Sequence, residues 1–168
     1  MTSYKPVRVL SPTLPLFVAL CAFGILAGAL WVQNQSNPPC PLCILQRMAY
    51  LGMLAFALLA AGLAAAAQAT ASRLALLLGA LSGLAGLGVA GRHVWLVWHP
   101  GQTCGLDPLA ATINNWSITQ WAPWMFRADG LCADVPSILG VSLPLWSALG
   151  FILLTIVLLL SMRGSKRR

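Results

Sequence analysis

Four long apolar blocks dominate the chain, at residues 14–32, 44–67, 74–97 and 141–162. Each is close to the ~20 residues that cross a hydrocarbon core of about 30 Å. Inside lipid the backbone must satisfy its own hydrogen bonds within the segment, so the blocks are predicted to be helices. The first, second and fourth end at polar or proline-containing breaks. The third runs into Arg92, His93 and His99, so its far end is less sharply marked. Two segments lie on the opposite side from the termini: a short one, 33–43, and a long one, 98–140. In the long one Trp116, Trp121, Trp124, Met125 and Phe126 alternate with polar residues. That pattern fits a short segment lying in the membrane interface, with a plain aromatic belt as the blander reading. The predicted fold is an all-α membrane protein, a four-transmembrane-helix bundle forming one domain over 1–168.

Composition agrees. Of 168 residues, 59% are hydrophobic and 8% charged, and the mean hydropathy is +0.82. A water-soluble domain needs far more charge to cover its surface. The net charge of +7 does not mark a nucleic-acid binder, because the basic residues lie at membrane ends rather than on one face. Lys5 and Arg8 precede the first block, Arg73 separates the second from the third, and Arg163, Lys166, Arg167 and Arg168 follow the fourth. The acids Asp107, Asp129 and Asp134 all fall in the long segment with Arg127. The positive-inside rule then places both termini and the middle turn in the cytoplasm, and 33–43 and 98–140 outside. A cleaved signal peptide is the competing reading of the first block, with Ala27-Gly28-Ala29 as a loose cleavage site. The apolar run continues through Trp31, and cleavage would leave an odd number of spans, so an uncleaved span is expected.

The cysteines change the picture from architecture to chemistry. Cys21 lies mid-span and reads as a small hydrophobe. Cys40, Cys43, Cys104 and Cys132 all fall on the side predicted to be external, where thiols are oxidised. Cys40-Pro41-Leu42-Cys43 closes a very small ring, which stabilises little by loop entropy. It serves better as a redox centre, because its second thiol can resolve a mixed disulfide at the first. With a helix from Ile44, Cys43 falls at a helix N-terminus, where the dipole and free N–H groups favour a thiolate. Pro39 and Pro41 are expected to keep the approach stiff and non-helical. Arg47, one turn further in, shares the face of Cys43. A guanidinium at that depth suits a thiolate or the charge developing on an electron acceptor, with simple snorkelling to the headgroups as the alternative. Four cysteines allow three pairings.

No metal is expected. One Cys-x-x-Cys fits zinc, but Cys104 and Cys132 do not form a second knuckle. The chain has no Cys-x-x-Cys-His haem signature and no nucleotide-binding glycine fingerprint. A quinone, a two-electron carrier already dissolved in the bilayer, is the most economical electron sink. His93 is placed to hydrogen-bond a quinone oxygen or relay protons, against a bland role for it and Arg92 as an interfacial polar cap. His99 and Asp107 read as loop residues. Gly79, Gly83, Gly86 and Gly88 read as packing residues of the third helix.

Four spans, a Cys-x-x-Cys-x-x-x-Arg at the start of the second, and a later pair of loop cysteines resemble the bacterial disulfide-bond formation protein B (DsbB) family. The likeness covers nearly the whole chain. Its most specific parts are Pro39-Cys40-Pro41-Leu42-Cys43-Ile44-Leu45-Gln46-Arg47, His93-Val94-Trp95-Leu96, Gly130-Leu131-Cys132-Ala133-Asp134 and the lead into the last helix around Pro144 and Trp146. The resemblance implies a protein-disulfide oxidoreductase of the bacterial inner membrane, with redox loops in the periplasm and a short interfacial helix near 116–126. It implies that a DsbA-like periplasmic dithiol oxidase attacks a Cys104–Cys132 disulfide at Cys104. Electrons then pass to Cys40–Cys43, and from Cys43 to ubiquinone or menaquinone beside Arg47. The chain departs from the family pattern in a short 100–103 linker and in the 133–139 stretch, which carries Pro136. A vitamin K epoxide reductase-like enzyme is the rival, but there the loop pair precedes the Cys-x-x-Cys. A non-catalytic membrane scaffold braced by disulfides is the other; the short Cys40–Cys43 ring and Arg47 speak against it.

Overall fold

The computed structural model describes residues 8–35, 38–99, 108–132, 135–163 and 165–167. Among the sequence expectations, those on Cys104, Lys5, Asp107, Asp134, Arg168 and the 100–103 linker lie outside these residues. In chain order the elements are β1 (Arg8–Leu10), α1 (Thr13–Asn34), α2 (Pro41–Ala65), α3 (Ala69–Trp98), α4 (Pro108–Asn114), α5 (Ser117–Trp121), α6 (Pro123–Phe126), β2 (Ser137–Ile138), β3 (Val141–Ser142), α7 (Leu143–Arg163) and β4 (Ser165–Arg167).

The four long helices α1, α2, α3 and α7 have 22, 25, 30 and 21 residues and are apolar enough to cross a membrane. They correspond to the four predicted blocks. Phe17, Leu20, Phe23, Leu74, Leu81 and Leu153 stand exposed on their outer faces, as lipid-facing side chains do when the solvent is hydrocarbon. α2 packs between α1 and α3, and α3 packs on α7, whereas α1 and α7 meet over much less of their lengths. A cleft is left between them.

The centre of the bundle is built from small residues. Ala57, Ala60, Ala64, Ala75, Ala80 and Ala90 are buried beside Met53, Leu76, Phe151 and Leu158. Glycines on α3 bring backbones together. A Cβ on Gly86 would run into the Phe151 ring and approach Ala49 Cβ at 2.8 Å, and one on Gly83 would meet Thr155 and Met53. Without a hydrophobic force between helices in lipid, such close packing and interhelical hydrogen bonds hold the bundle. Ser72 Oγ donates to the Ala60 carbonyl at 2.8 Å and Ser82 Oγ to that of Ala49 at 3.0 Å. Gly88 departs from the expectation: it is exposed, with nothing near enough for an added Cβ to touch.

The α2–α3 turn has a Schellman geometry. Gln68 N–H donates to Leu63 O and Ala67 N–H to Ala64 O, with Ala67 at φ 59°. The helix therefore stops at Ala65 rather than running to 67.

At the other end, α2 begins three residues earlier than predicted. Cys40 is its N-cap in extended conformation and Pro41 sits in its first turn. Pro41 thus starts the helix instead of keeping the approach non-helical. Its fixed φ is pre-organised for that position, where its missing N–H costs nothing. The long segment holds three short helices, α4, α5 and α6, where one was expected near 116–126. Asn114 locks them by accepting from Ala128 N–H at 2.8 Å and donating to Ala128 O at 3.0 Å. Ile113, Ala122, Phe126 and Ala128 bury themselves against Ile44 of α2. A two-residue turn, Leu139 and Gly140, joins β2 to β3 with both φ positive. A segment before α1 and one after α7 also meet. β1 pairs antiparallel with β4, Val9 facing Lys166, so both lie at the end of the bundle remote from Cys40 and Cys132.

Candidate redox site

Cys40 and Cys43 face each other across the first turn of α2, their sulfurs 3.3 Å apart, the Cys40 thiol donating to Cys43. Cys43 N–H in turn points at Cys40 Sγ at 3.4 Å. Both are free thiols, as is Cys21 within α1, whereas Cys132 is disulfide-bonded. The hydrogen bond to Cys43, then burial, push the Cys40 thiol well above the ordinary thiol range.

Three connections bring the second loop to this pair. Asp129 N–H and Gly130 N–H both donate to the Pro39 carbonyl, at 3.1 and 3.0 Å. Gly130 lies so close to Pro38 that a Cβ there would collide with the Pro38 carbonyl. Cys132, 1% exposed, then packs with Cys40, Leu42 and Leu96 in one buried cluster.

His93, fully buried on α3, completes the junction. Its Nε2 lies 3.2 Å from the Cys132 carbonyl and 3.6 Å from Cys40 Sγ. A carbonyl only accepts, so Nε2 carries the proton. Nδ1 is then an acceptor, and Gln46 Nε2 donates to it at 3.0 Å. His93 therefore belongs to the thiol junction as well as to the wall of the cleft. Arg92, its neighbour, is exposed and takes no part.

Arg47 does not snorkel. It is 6% exposed, and its guanidinium donates to Gln33 Oε1 (2.6 Å), Met125 O (2.9 Å) and Ala29 O (3.3 Å). Gln33 also donates to Trp124 O at 2.9 Å. α1, α2 and α6 are thus tied together at one charge. A cleft of about 730 Å³ runs from this charge between α1 and α7. Cys40, Cys43, Gln46, Arg47 and His93 lie along it, and Ile25, Gly28, Ala29, Tyr50, Gly150 and Leu153 make most of its remaining wall apolar. Exposed lining residues such as Trp31 and Leu153 open it toward the lipid side. Such a space, apolar with a few convergent polar groups, suits a flat lipid-soluble ligand.

The family model described as "Disulfide bond formation protein DsbB" matches residues 11–161. The chain belongs to the DsbB family. Among relatives named "Disulfide bond formation protein B", that of Ralstonia nicotianae is 43% identical over 156 residues, covering 91% of this chain and 94% of the relative. That of Cupriavidus necator is 44% identical over 145 residues, covering 85% and 87%. That of Burkholderia pseudomallei is 37% identical over 155 residues, covering 89% and 90%. This DsbB-family chain is accordingly a multi-pass membrane protein with a disulfide oxidoreductase role in disulfide bond formation.

Of the sequence-predicted site residues, Cys40, Cys43, Cys132, Arg47 and His93 converge at one end of the bundle, and Cys104 lies outside the described residues. Sequence reasoning gave no individual role to Gln46, Gln33 or Gly130, although Gln46 and Gly130 fall in the segments that most resemble the family. Gln46 carried a signal, being an amide beside Arg47 in a largely apolar stretch of α2, where unpaired polar groups are costly. Gln33 looked like an ordinary polar residue ending a span.

Proposed function

We propose that the chain reoxidises a periplasmic dithiol oxidase of the DsbA type and passes the electrons to a membrane quinone. The termini and the Arg73 turn are cytoplasmic, and the cysteine end faces the periplasm of a bacterial inner membrane, as the basic tails favour. The observation that carries the reading is the burial of Cys132 against Cys40, with His93 touching both, beside a cleft walled by Cys43 and Arg47.

Cys104 is the proposed partner of Cys132; that Cys21, Cys40 and Cys43 are all free supports this. A thiolate of the reduced oxidase attacks Cys104 and releases the Cys132 thiolate. The freed Cys132, held against Cys40, attacks an oxidised Cys40–Cys43 pair at Cys40 and releases Cys43 as thiolate. The oxidase's second thiol attacks the mixed disulfide, forms the oxidase's own disulfide and releases Cys104 as thiolate. Cys104 then attacks Cys132 of the Cys40–Cys132 bond, restores the loop disulfide and releases Cys40 as thiolate. The Cys40–Cys43 dithiol that remains matches the thiol state described above. A bound quinone supplies an acceptor for two electrons and two protons. Arg47 would hold it and favour negative charge there, and Cys43, at the first turn of α2, faces the same cleft. In sum, one dithiol and one quinone become one disulfide and one quinol.

The test is turnover of the purified chain with reduced partner oxidase and a soluble quinone. Wild type should consume quinone, and Cys43→Ser should stop it. Undiminished consumption by Cys43→Ser would remove the mechanism.

A further inference from the structure

Cys40, Cys43 and His93 also meet the requirements of a metal site that the redox cycle does not use. Their ligand atoms all lie within 4.8 Å of one another. A tetrahedral zinc ion has Zn–S bonds of about 2.3 Å and Zn–N bonds of about 2.0–2.1 Å. Those lengths set ligand separations of roughly 3.8 Å between sulfurs and roughly 3.5 Å between sulfur and nitrogen. The observed separations are 3.3 Å for Cys40 Sγ to Cys43 Sγ and 3.6 Å for Cys40 Sγ to His93 Nε2. Movements of a few tenths of an ångström would bring these two separations to the ion's values, and Cys43 Sγ lies within 4.8 Å of the His93 ligand atom. The four-cysteine arrangement considered from sequence lacked a second knuckle; here the third ligand is an imidazole from another helix.

We propose that the reduced Cys40–Cys43 pair, with His93, binds one zinc-type divalent cation and that this binding holds the chain out of turnover. Two thiolates balance the charge of the ion, which suits a buried position better than a net charge. Binding forms two S–Zn bonds and one N–Zn bond and releases the thiol protons to solvent, with no electron transferred. His93 must present an Nε2 lone pair. Its proton moves to Nδ1, and the Gln46 amide turns so that its oxygen accepts that proton. A ligating histidine commonly has such an outer partner, and Gln46 is already 3.0 Å from Nδ1. The Cys132 carbonyl then loses its bond from Nε2, so the ion also loosens the loop contact used for thiol exchange. Three protein ligands leave a fourth position open to the cleft, which makes this an exchangeable, inhibitory site rather than a structural one. An oxidised pair has no thiolates to offer, so the site exists only when electrons wait on the pair.

The inhibitory effect rests on the redox cycle proposed above, whereas the binding itself needs neither a quinone nor a partner protein, and neither enters its test. The chain, without a polyhistidine tag, is reduced anaerobically, freed of reductant and titrated with Zn2+ against a chromophoric chelator. One Zn2+ per chain should bind. Binding should be lost in Cys40→Ser and Cys43→Ser, kept in the Cys104→Ser/Cys132→Ser double variant, and absent from the oxidised chain. His93→Gln should weaken it by at least ~10-fold. Co2+ bound to the reduced wild type should show tetrahedral visible bands and thiolate-to-metal charge transfer, a readout that needs no variant to fold. Loss of binding in the double variant, unaltered affinity in His93→Gln or Cys43→Ser, or an octahedral Co2+ spectrum without charge transfer would each overturn the site.

Discussion

Arg47 is the residue on which the cleft's electrostatics turn. Three protein acceptors fix its guanidinium in place, so its charge is aimed before any ligand arrives. A charge-assisted hydrogen bond contributes about 1.5–3 kcal/mol. Arg47→Ala should therefore raise the quinone KM by roughly 10- to 100-fold while leaving the KM for the dithiol partner near wild type. Arg47→Lys should not restore it, since one ammonium cannot span Gln33, Met125 and Ala29 as the planar fork does. Initial rates at varied quinone, then at varied partner, measure both. Arg47 stood out in the sequence because its charge interrupts an apolar block. His93 stood out less clearly, as a polar residue near a helix end. Gln33, which orients Arg47, did not stand out, because its importance comes from bonds to α2 and α6 rather than from its neighbours in the chain.

At the scale of elements, helix ends and helix contacts decide where the chemistry sits. Cys40 caps α2 and Pro41 opens it, which brings both sulfurs of the pair into one turn. The far end of α2 closes in a Schellman turn with Ala67 in the left-handed region, a place glycine occupies without the penalty of a Cβ. Ala67→Gly should raise unfolding stability by about 1 kcal/mol, read from denaturant titration in detergent with activity unchanged. On α3 the opposite holds. Gly86 faces the Phe151 ring and Ala49, so Gly86→Ala should lower stability by about 1–3 kcal/mol through overpacking in the same titration. The lengths of the four spans were legible from the apolar runs. The glycine contacts were not, since Gly79, Gly83, Gly86 and Gly88 look alike in sequence while Gly88 touches nothing. The division of the loop into α4, α5 and α6 was hidden too, because each is shorter than any period could reveal.

For the whole molecule, the decisive arrangement is a loop folded down onto a helix start. Pro39 receives Asp129 and Gly130 N–H, and the absence of a side chain at Gly130 lets the two backbones touch. Gly130→Ala should separate Cys132 from Cys40. Transfer from the loop disulfide to the pair should slow at least ~10-fold, about 1.4 kcal/mol in barrier, while quinone reduction by the prereduced pair stays near wild type. Stopped-flow measurement of the two half-reactions distinguishes the steps. Equal slowing of both would place Gly130 in general folding instead.

The sequence alone determined the class of the protein: four apolar spans, with a Cys-x-x-Cys at the start of the second. These follow from run length and spacing, both read along the chain. Only the tertiary structure decided which way each helix faces. Spans that are apolar all round carry little record of their inward side, because lipid and protein core are equally apolar surroundings. The meeting of His93 and Gln46 with Cys132, the bracing of Arg47 by Gln33, and the cleft between α1 and α7 are set by that rotation and by the fold of the loop over it.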